Sequence, residues 1–363
     1  MTPILRLPQH LLMTAVVALA SGFAAAAEAP FVFVSGYGPD IICYTLDETA
    51  GALTEVSRSP GGTNPSFLAW SPDHKNLYAV NEGGGGSVVS FTIAAADGKL
   101  TKTGEGKTGG QGPCFVSVHP SGKWVFAANY GSGHVAVLPV QADGSVKDPV
   151  DVQLAGKNAH MAITDHAGKH LFVPCLGSDH VAIYGIDAAS GKLSPITTVP
   201  LAKGAGPRHM AFSADEKHCY VIGELNSTIT AFACDLAKPS FTELGVVPTL
   251  PAGFSGKNSC AHILIAPDGK TLYGSNRGHN SLVVCRIDPA TGKLAVIGHE
   301  TAGGEINTPR NFTLTPDGAL ALVASQKGDL VSILKVDAAT GTMTRLGSQK
   351  VGAGPSFVGV MTR

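Results

Sequence analysis

Six copies of one polar turn punctuate this chain at nearly equal intervals, and that period narrows the possible folds more than any other feature. The turns read SPDHK, HPSGK, DHAGK, SADEK, APDGK and TPDGA; their last residues are Lys75, Lys123, Lys169, Lys217, Lys270 and Ala319, spaced 48, 46, 48, 53 and 49 positions apart. Each turn joins two short apolar runs, as at 210–212 and 219–222. A third run follows (SVVSFTI, HVAIYGI, SLVVCRI), then an ATGKL-type turn and a ragged fourth run. Nothing in these units has helical periodicity. A repeat of roughly 50 residues built from four short strands predicts an all-β chain folded as a β-propeller.

Six complete units leave two ends to place. Residues 31–35 read as the second strand of a unit that lacks its first, and SFVGVMTR at 356–363 aligns with CFVSVHPS as a first strand with nothing after it. Paired, the two ends make a seventh blade and close the ring, which removes open sheet edges. The expectation is a seven-bladed β-propeller spanning 28–363. Only two tryptophans and no Trp-Asp dipeptide argue against a WD40 repeat.

Residues 1–27 stand apart. Arg6 precedes an apolar stretch at 11–23 and small residues at 24–27, the pattern of a secretory signal peptide cut between Ala27 and Glu28. No other stretch could span a membrane, so the mature protein is expected to be exported, periplasmic or secreted, and monomeric. A net charge of -1 with 15% charged residues excludes the basic footprint of a nucleic-acid groove. The seven cysteines (Cys43, Cys114, Cys175, Cys219, Cys234, Cys260 and Cys285) include no CxxC pair, and their odd number leaves one unpaired within the chain. They read as small buried apolar residues. Cys219 and Cys234 are symmetric about Asn226–Ser227, which predicts that they face each other across a hairpin.

Strands alternate in direction within a blade, so the loops before the first strand and after the second open on one face. In the segment 204–227 this gathers Arg208, His209, Glu224 and Asn226 at one end of a hairpin. Laying the units over each other gives Phe67, Phe115, His160, His209, His262, Asn311 and Phe357 just before the first strand. The preceding positions are Ser66, Cys114, Ala159, Arg208, Ala261, Arg310 and Ser356. The loops after the second strand contribute Glu82, Tyr130, Leu176, Glu224, Arg277 and Gln326, with Asn129 among the residues one position earlier. A ring that only packed would repeat one residue. Here three neighbouring positions are Phe and four are His or Asn, and three guanidiniums gather against Glu224. Guanidinium forks suit carboxylate or phosphate, so a small anionic ligand is expected.

The segments GAGPRHM with GELNS, HMAITDHAGKHLFVPCLGSDHVAIY, LYGSNRGHNS and TPRNFTLTPDG resemble the lactonase family of seven-bladed propellers, over roughly Phe31 to Val360. That family includes bacterial 6-phosphogluconolactonase and fungal carboxy-cis,cis-muconate cyclase. The resemblance implies an active-site set of His160, Arg208, Glu224 and Arg277. It departs from the family at His262, where many members carry an acidic residue. His209, Asn226, His262, Arg310, Asn129 and Gln326 are the expected substrate contacts.

Lactone hydrolysis needs an activated water, for which His160 or Glu224 could be the base, and cations for the oxyanion and the substrate's remote charge, for which Arg208 and Arg277 are placed. No Gly-x-Ser-x-Gly elbow is present. The expected activity is hydrolysis of a small anionic sugar-acid or phosphosugar lactone, without metal or other cofactor. The alternatives are a carboxymuconate-type cycloisomerase, a metal-dependent lactonase with His160, His209, His262 and Glu224 as ligands, and a non-catalytic binding propeller.

Overall fold

A computed structural model describes residues 29–83, 85–352 and 354–363; the proposed signal peptide lies outside the described residues. Twenty-eight strands form seven four-stranded antiparallel sheets. Six blades are continuous in sequence, at 68–107, 113–154, 163–200, 207–248, 260–300 and 309–350. The other is shared: Pro355–Met361 is its innermost strand, and Phe31–Gly36, Asp40–Asp47 and Ala52–Pro60 are the outer three. Phe31 pairs with Met361 and Val34 with Val358, so the two ends of the propeller close the ring as the repeat requires.

Each blade's second strand is sandwiched between neighbours, and its sequence shows it. Trp124–Asn129, Thr271–Asn276 and Leu320–Ser325 are buried at every position, reading as continuous apolar runs. The outermost strands, such as Ala52–Pro60, carry polar residues on an exposed edge. The core is a set of wedges between blades: Val32 and Val34 pack with Leu322 and Val331, and Tyr220 and Ile222 with Leu272 and Val283. Tyrosines of the second strands fasten one blade to the next. Tyr78, Tyr220 and Tyr273 donate their hydroxyls to the carbonyls of Gly144, Gly292 and Gly341, at 3.2, 3.0 and 2.8 Å, in the third-to-fourth-strand turn of the following blade.

The cysteine hairpin departs from expectation. Cys219 pairs with Phe232, and Cys234 lies beyond, opposite Phe241 on its other side. The turn centres on Leu225–Asn226 because Gly223 pairs with Thr228, closing a four-residue loop with Ser227 at φ +55°. That places the register two short of the symmetric guess. All seven cysteines are free thiols, and burial, then the adjoining Cys234 thiol, raises Cys219, so the two remain neighbours despite the shifted register.

The first strands converge on the axis, where one side chain per blade fills the channel. Phe67 packs on Phe115 at 4.3 Å and on Phe357 at 4.9 Å between ring centroids. His209 stands edge-on to Phe115, His160 and His262 at 5.3, 5.3 and 5.1 Å. Truncating Phe357, which is 5% exposed and also touches Trp70, opens a cavity in this plug. Phe357→Ala is expected to cost about 3–5 kcal/mol, read as a lower midpoint in chemical denaturation at unchanged m-value; a loss under about 1 kcal/mol would mean the plug does not bear on stability.

Candidate active site

One backbone hydrogen bond, repeated seven times, sets the mouth. The N–H of Tyr37, Glu82, Tyr130, Leu176, Glu224, Arg277 and Gln326, each the first residue after a second strand, donates to the carbonyl of Gly354, Asn64, Gly112, Asn158, Gly206, Ser259 and Thr308. Most of these acceptors sit at positive φ just before the first strand, Gly206 at +62° among them. A Cβ at Gly206 would come 2.5 Å from the Leu225 side chain, so this turn requires glycine on both counts. Tyr37 belongs to the ring but is absent from the six loop positions read in the sequence. Counting Phe31–Gly36 as a second strand and taking the next residue would have found it.

The first strands begin earlier than expected, at Pro113, Pro207, Cys260, Pro309 and Pro355. Proline suits a strand's first position, where its missing N–H costs no ladder bond. Phe115, His209, His262, Asn311 and Phe357 are therefore strand residues. Register shifts just before them, between Pro113 and Phe115, Pro207 and His209, and Pro309 and Asn311, leave Cys114, Arg208 and Arg310 as extra residues. Such a bulge re-aims its side chain. Here it aims them toward the axis, where Arg208, Arg310, Cys114, Ser66 and Ser356 surround a small recess with Phe67 and His209.

Blade 163–200 is different, because its first strand shrinks to Ile163–Thr164. Pro174 in the adjoining strand accepts a hydrogen bond from His160 N at 2.9 Å but has no N–H to return. The ladder breaks there. His160 is held by that bond and by a single bridge between Ala159 and Cys175. Its ring stands edge-on to Tyr130 at 5.5 Å, and its Nδ1 lies 3.6 Å from the Cys114 sulfur.

Glu224 bridges two arginines. Its Oε2 lies 2.8 Å from Arg208 Nε and its Oε1 2.9 Å from Arg277 Nη2. The Arg208 contact is coulombic more than a hydrogen bond, since that N–H is poorly aimed at the oxygen. The Arg208 side chain is only 3% exposed. Burial, then the like charge of Arg277, pushes it down to about 9, still protonated at neutral pH. Its Nη1 donates to Ala261 O at 2.7 Å and meets His209 Nε2 at 3.3 Å. Arg277 Nη2 also donates to Cys260 O at 2.8 Å.

These contacts fix a tautomer chain. A guanidinium can only donate, so His209 Nε2 must accept. Its proton therefore sits on Nδ1, 2.8 Å from His262 Nδ1, which accepts in turn and leaves the His262 proton on Nε2. Burial, reinforced by the positive field of Arg208, holds His160 and His209 well below the usual imidazole range and brings His262 to about 3. All three are neutral at pH 7.

Several sequence-derived contacts lie elsewhere. Asn129 is fully buried; its Oδ1 accepts from Thr108 at 2.6 Å and its Nδ2 donates to His134 O, so it fastens a hairpin and does not meet the mouth. Asn226 caps its own loop, accepting from Thr228 Oγ1 at 2.9 Å, and stays on the rim. His209 is 1% exposed and serves the plug and Arg208. His262 is the far end of that chain, while Gln326 takes its place in the mouth ring. The four proposed metal ligands do not converge: both Glu224 oxygens lie on arginines and the facing His209 and His262 nitrogens are spent on each other. Among the described residues, no three His, Cys, Asp or Glu side chains are gathered as a cation site.

Across the axis, Arg310 lies over the Tyr37 ring, 5.3 Å from its centroid, and the Tyr37 hydroxyl donates to Glu82 at 3.3 Å. The mouth thus holds Arg208, Arg277 and Arg310 against Glu82 and Glu224, a net positive charge.

Residues 31–360 match the family model described as lactonase, 7-bladed beta-propeller. The chain is 32% identical over 309 residues to 6-phosphogluconolactonase of Bacillus subtilis strain 168, covering 82% of this chain and 88% of that protein. It is 32% identical over 319 residues to 6-phosphogluconolactonase of Serratia proteamaculans, covering 87% and 94%. Among solved structures it superposes on the periplasmic gluconolactonase of Pseudomonas aeruginosa with a TM-score of 0.85 and 30% identity, covering 92% of this chain and 99% of that one.

Three imidazoles kept neutral by burial make stability sensitive to acid. Between pH 6.5 and about 5 the unfolded chain binds protons on these histidines and the folded protein does not, so stability falls as pH falls. Each contributes a slope of up to about 1.4 kcal/mol per pH unit. His209→Gln is expected to flatten the slope in denaturation midpoints measured across that window; an unchanged slope would place the titrating groups elsewhere.

Proposed function

Because the chain belongs to the lactonase family of seven-bladed β-propellers, we propose that it hydrolyses a small anionic lactone, a sugar-acid or phosphosugar lactone, at the mouth around Glu224. The observation that carries this reading is the carboxylate of Glu224 set between Arg208 and Arg277, beside a neutral His160. Attack of water on the lactone carbonyl places negative charge on its oxygen, and two guanidiniums held in place beforehand stabilise that oxyanion without reorganisation. Glu224 takes one contact from each arginine, and among the described residues Arg208 Nη2 and Arg277 Nη1 have no protein acceptor. Those N–H groups remain for the substrate.

The geometry favours different roles for the two base candidates. Glu224 has each oxygen within 2.9 Å of a cation, which suits an orienting role and makes proton capture costly. His160 is uncharged over the physiological range, and its Nε2 has no hydrogen-bond partner among the described residues. That nitrogen is the better acceptor for a proton from water, with the Nδ1 proton turned toward the Cys114 sulfur. The dry floor of aromatic rings below strengthens each of these interactions. Export remains part of the proposal. It rests on the leader-like residues 1–27 and is supported by likeness to a neighbour described as periplasmic.

Glu224→Ala would strand two buried cations and could unfold the site, so Glu224→Gln is the informative variant. On 6-phosphogluconolactone or gluconolactone, Glu224→Gln is expected to lower kcat by about 10²–10³ and His160→Ala by about 10²–10⁴. Wild-type kcat/KM should show no inflection near pH 6.5, because the buried imidazole protonates well below that value. Full activity in both variants, on a lactone the wild type hydrolyses, would sink the assignment.

A further inference from the structure

The recess at the propeller axis has a second arginine that the reaction proposed above does not use. Arg310 lines it from the bulge at Pro309–Asn311, near Arg208, together with Ser66, Phe67 and His209. Arg310 is half-buried, and among the described residues it makes no ion pair and no hydrogen bond. The Ser66 hydroxyl is sealed from solvent and has no partner among the described residues, while its carbonyl accepts from Ser356 Oγ at 2.9 Å. An unspent cation thus borders a recess whose wall also includes Ser66. A buried polar group left in this way costs free energy unless something binds it.

The neighbouring residues keep Arg310 unspent. The Glu82 carboxylate lies on the far side of Tyr37, where it accepts the Tyr37 hydroxyl, and among the described residues it forms no ion pair with the arginine. The Tyr37 ring takes the guanidinium on its face. Tyr37 therefore stands between opposite charges, bonding one at its hydroxyl and stacking on the other. The edge of the guanidinium, which carries the N–H groups, stays available.

We propose that Arg310 forms a charge-reading subsite that takes one anionic oxygen of the substrate, from a carboxylate or phosphate remote from the lactone carbonyl. The recess has room for about one water-sized group, so a single oxygen enters while the rest of the anion stays in the mouth. This rests on the lactonase reading and goes beyond it, because it separates the group that selects the substrate from the groups that act on the ring. Arg208 touches both regions and couples them.

The test compares kcat/KM for neutral glucono-δ-lactone with its 6-phosphate and with a carboxylate-bearing glucarolactone. The ratio of anionic to neutral substrate measures the subsite, and the larger of the two ratios identifies the source of the oxygen. Arg310→Gln is expected to lower the ratio by about 10–100-fold. Glu82→Gln removes a competing negative charge and is expected to raise it by about 2–5-fold, a gain that damage to the fold would not produce. A ratio unmoved by Arg310→Gln, or lowered by Glu82→Gln, overturns the proposal. Calorimetric binding of gluconate and 6-phosphogluconate separates the two readings. If no lactone is hydrolysed but 6-phosphogluconate binds more tightly and Arg310→Gln levels the two, the hydrolase reading falls and the subsite stands. Equal binding of both acids to the wild type overturns the subsite.

Discussion

Seven strands meeting around one axis leave room for a single side chain from each blade in each layer, and the site is built on that crowding. One layer is filled by Phe67, Phe115, His160, His209, His262, Asn311 and Phe357, in ring contact or hydrogen-bonded across blades, as Asn311 Oδ1 is to Val358 N at 3.0 Å. Because this layer is shut, the layer above it has a dry floor. A guanidinium placed there cannot be screened by water from below. Arg208, the more deeply buried, is met by a carboxylate, a carbonyl and a neutral imidazole nitrogen.

The symmetry of the scaffold and the asymmetry of the site come from different atoms. Backbone supplies the symmetry, in the seven N–H to carbonyl bonds that set Tyr37, Glu82, Tyr130, Leu176, Glu224, Arg277 and Gln326 around the mouth. Side chains break it. A bulge that aims a serine inward in one blade aims an arginine in another, with no change in the strand that carries it. Function can therefore be written into such a ring by substitution at a few equivalent positions, since the backbone bonds do not depend on the residue type. Pro174 is the exception, where a side chain that bonds back to its own nitrogen alters the ladder beside His160.

What the sequence revealed followed the repeat. Period, blade number, closure and the equivalence of Glu224 with Arg277 all come from superposing units, because strand spacing and turn chemistry are local. Contacts between units were not legible. Asn129 looked like a mouth residue by position, but its side chain turns to Thr108 in a neighbouring segment, which only the packing of loops determines. The Cys219–Cys234 register failed because a four-residue loop and a symmetric two-residue turn leave the same apolar pattern on the flanking strands. Tyr37 was missed because its blade is split between distant parts of the chain. The bulges at Arg208 and Arg310 have no sequence signal beyond the Pro that begins each strand.

The shared blade also governs the order of assembly. Phe31–Gly36 has its inner edge bare until Pro355–Met361 has been made, so the wedge of side chains beneath it is completed only after all the other blades have been synthesised. Contacts of such long range form late and slowly. The last strand is then the latch that closes the ring.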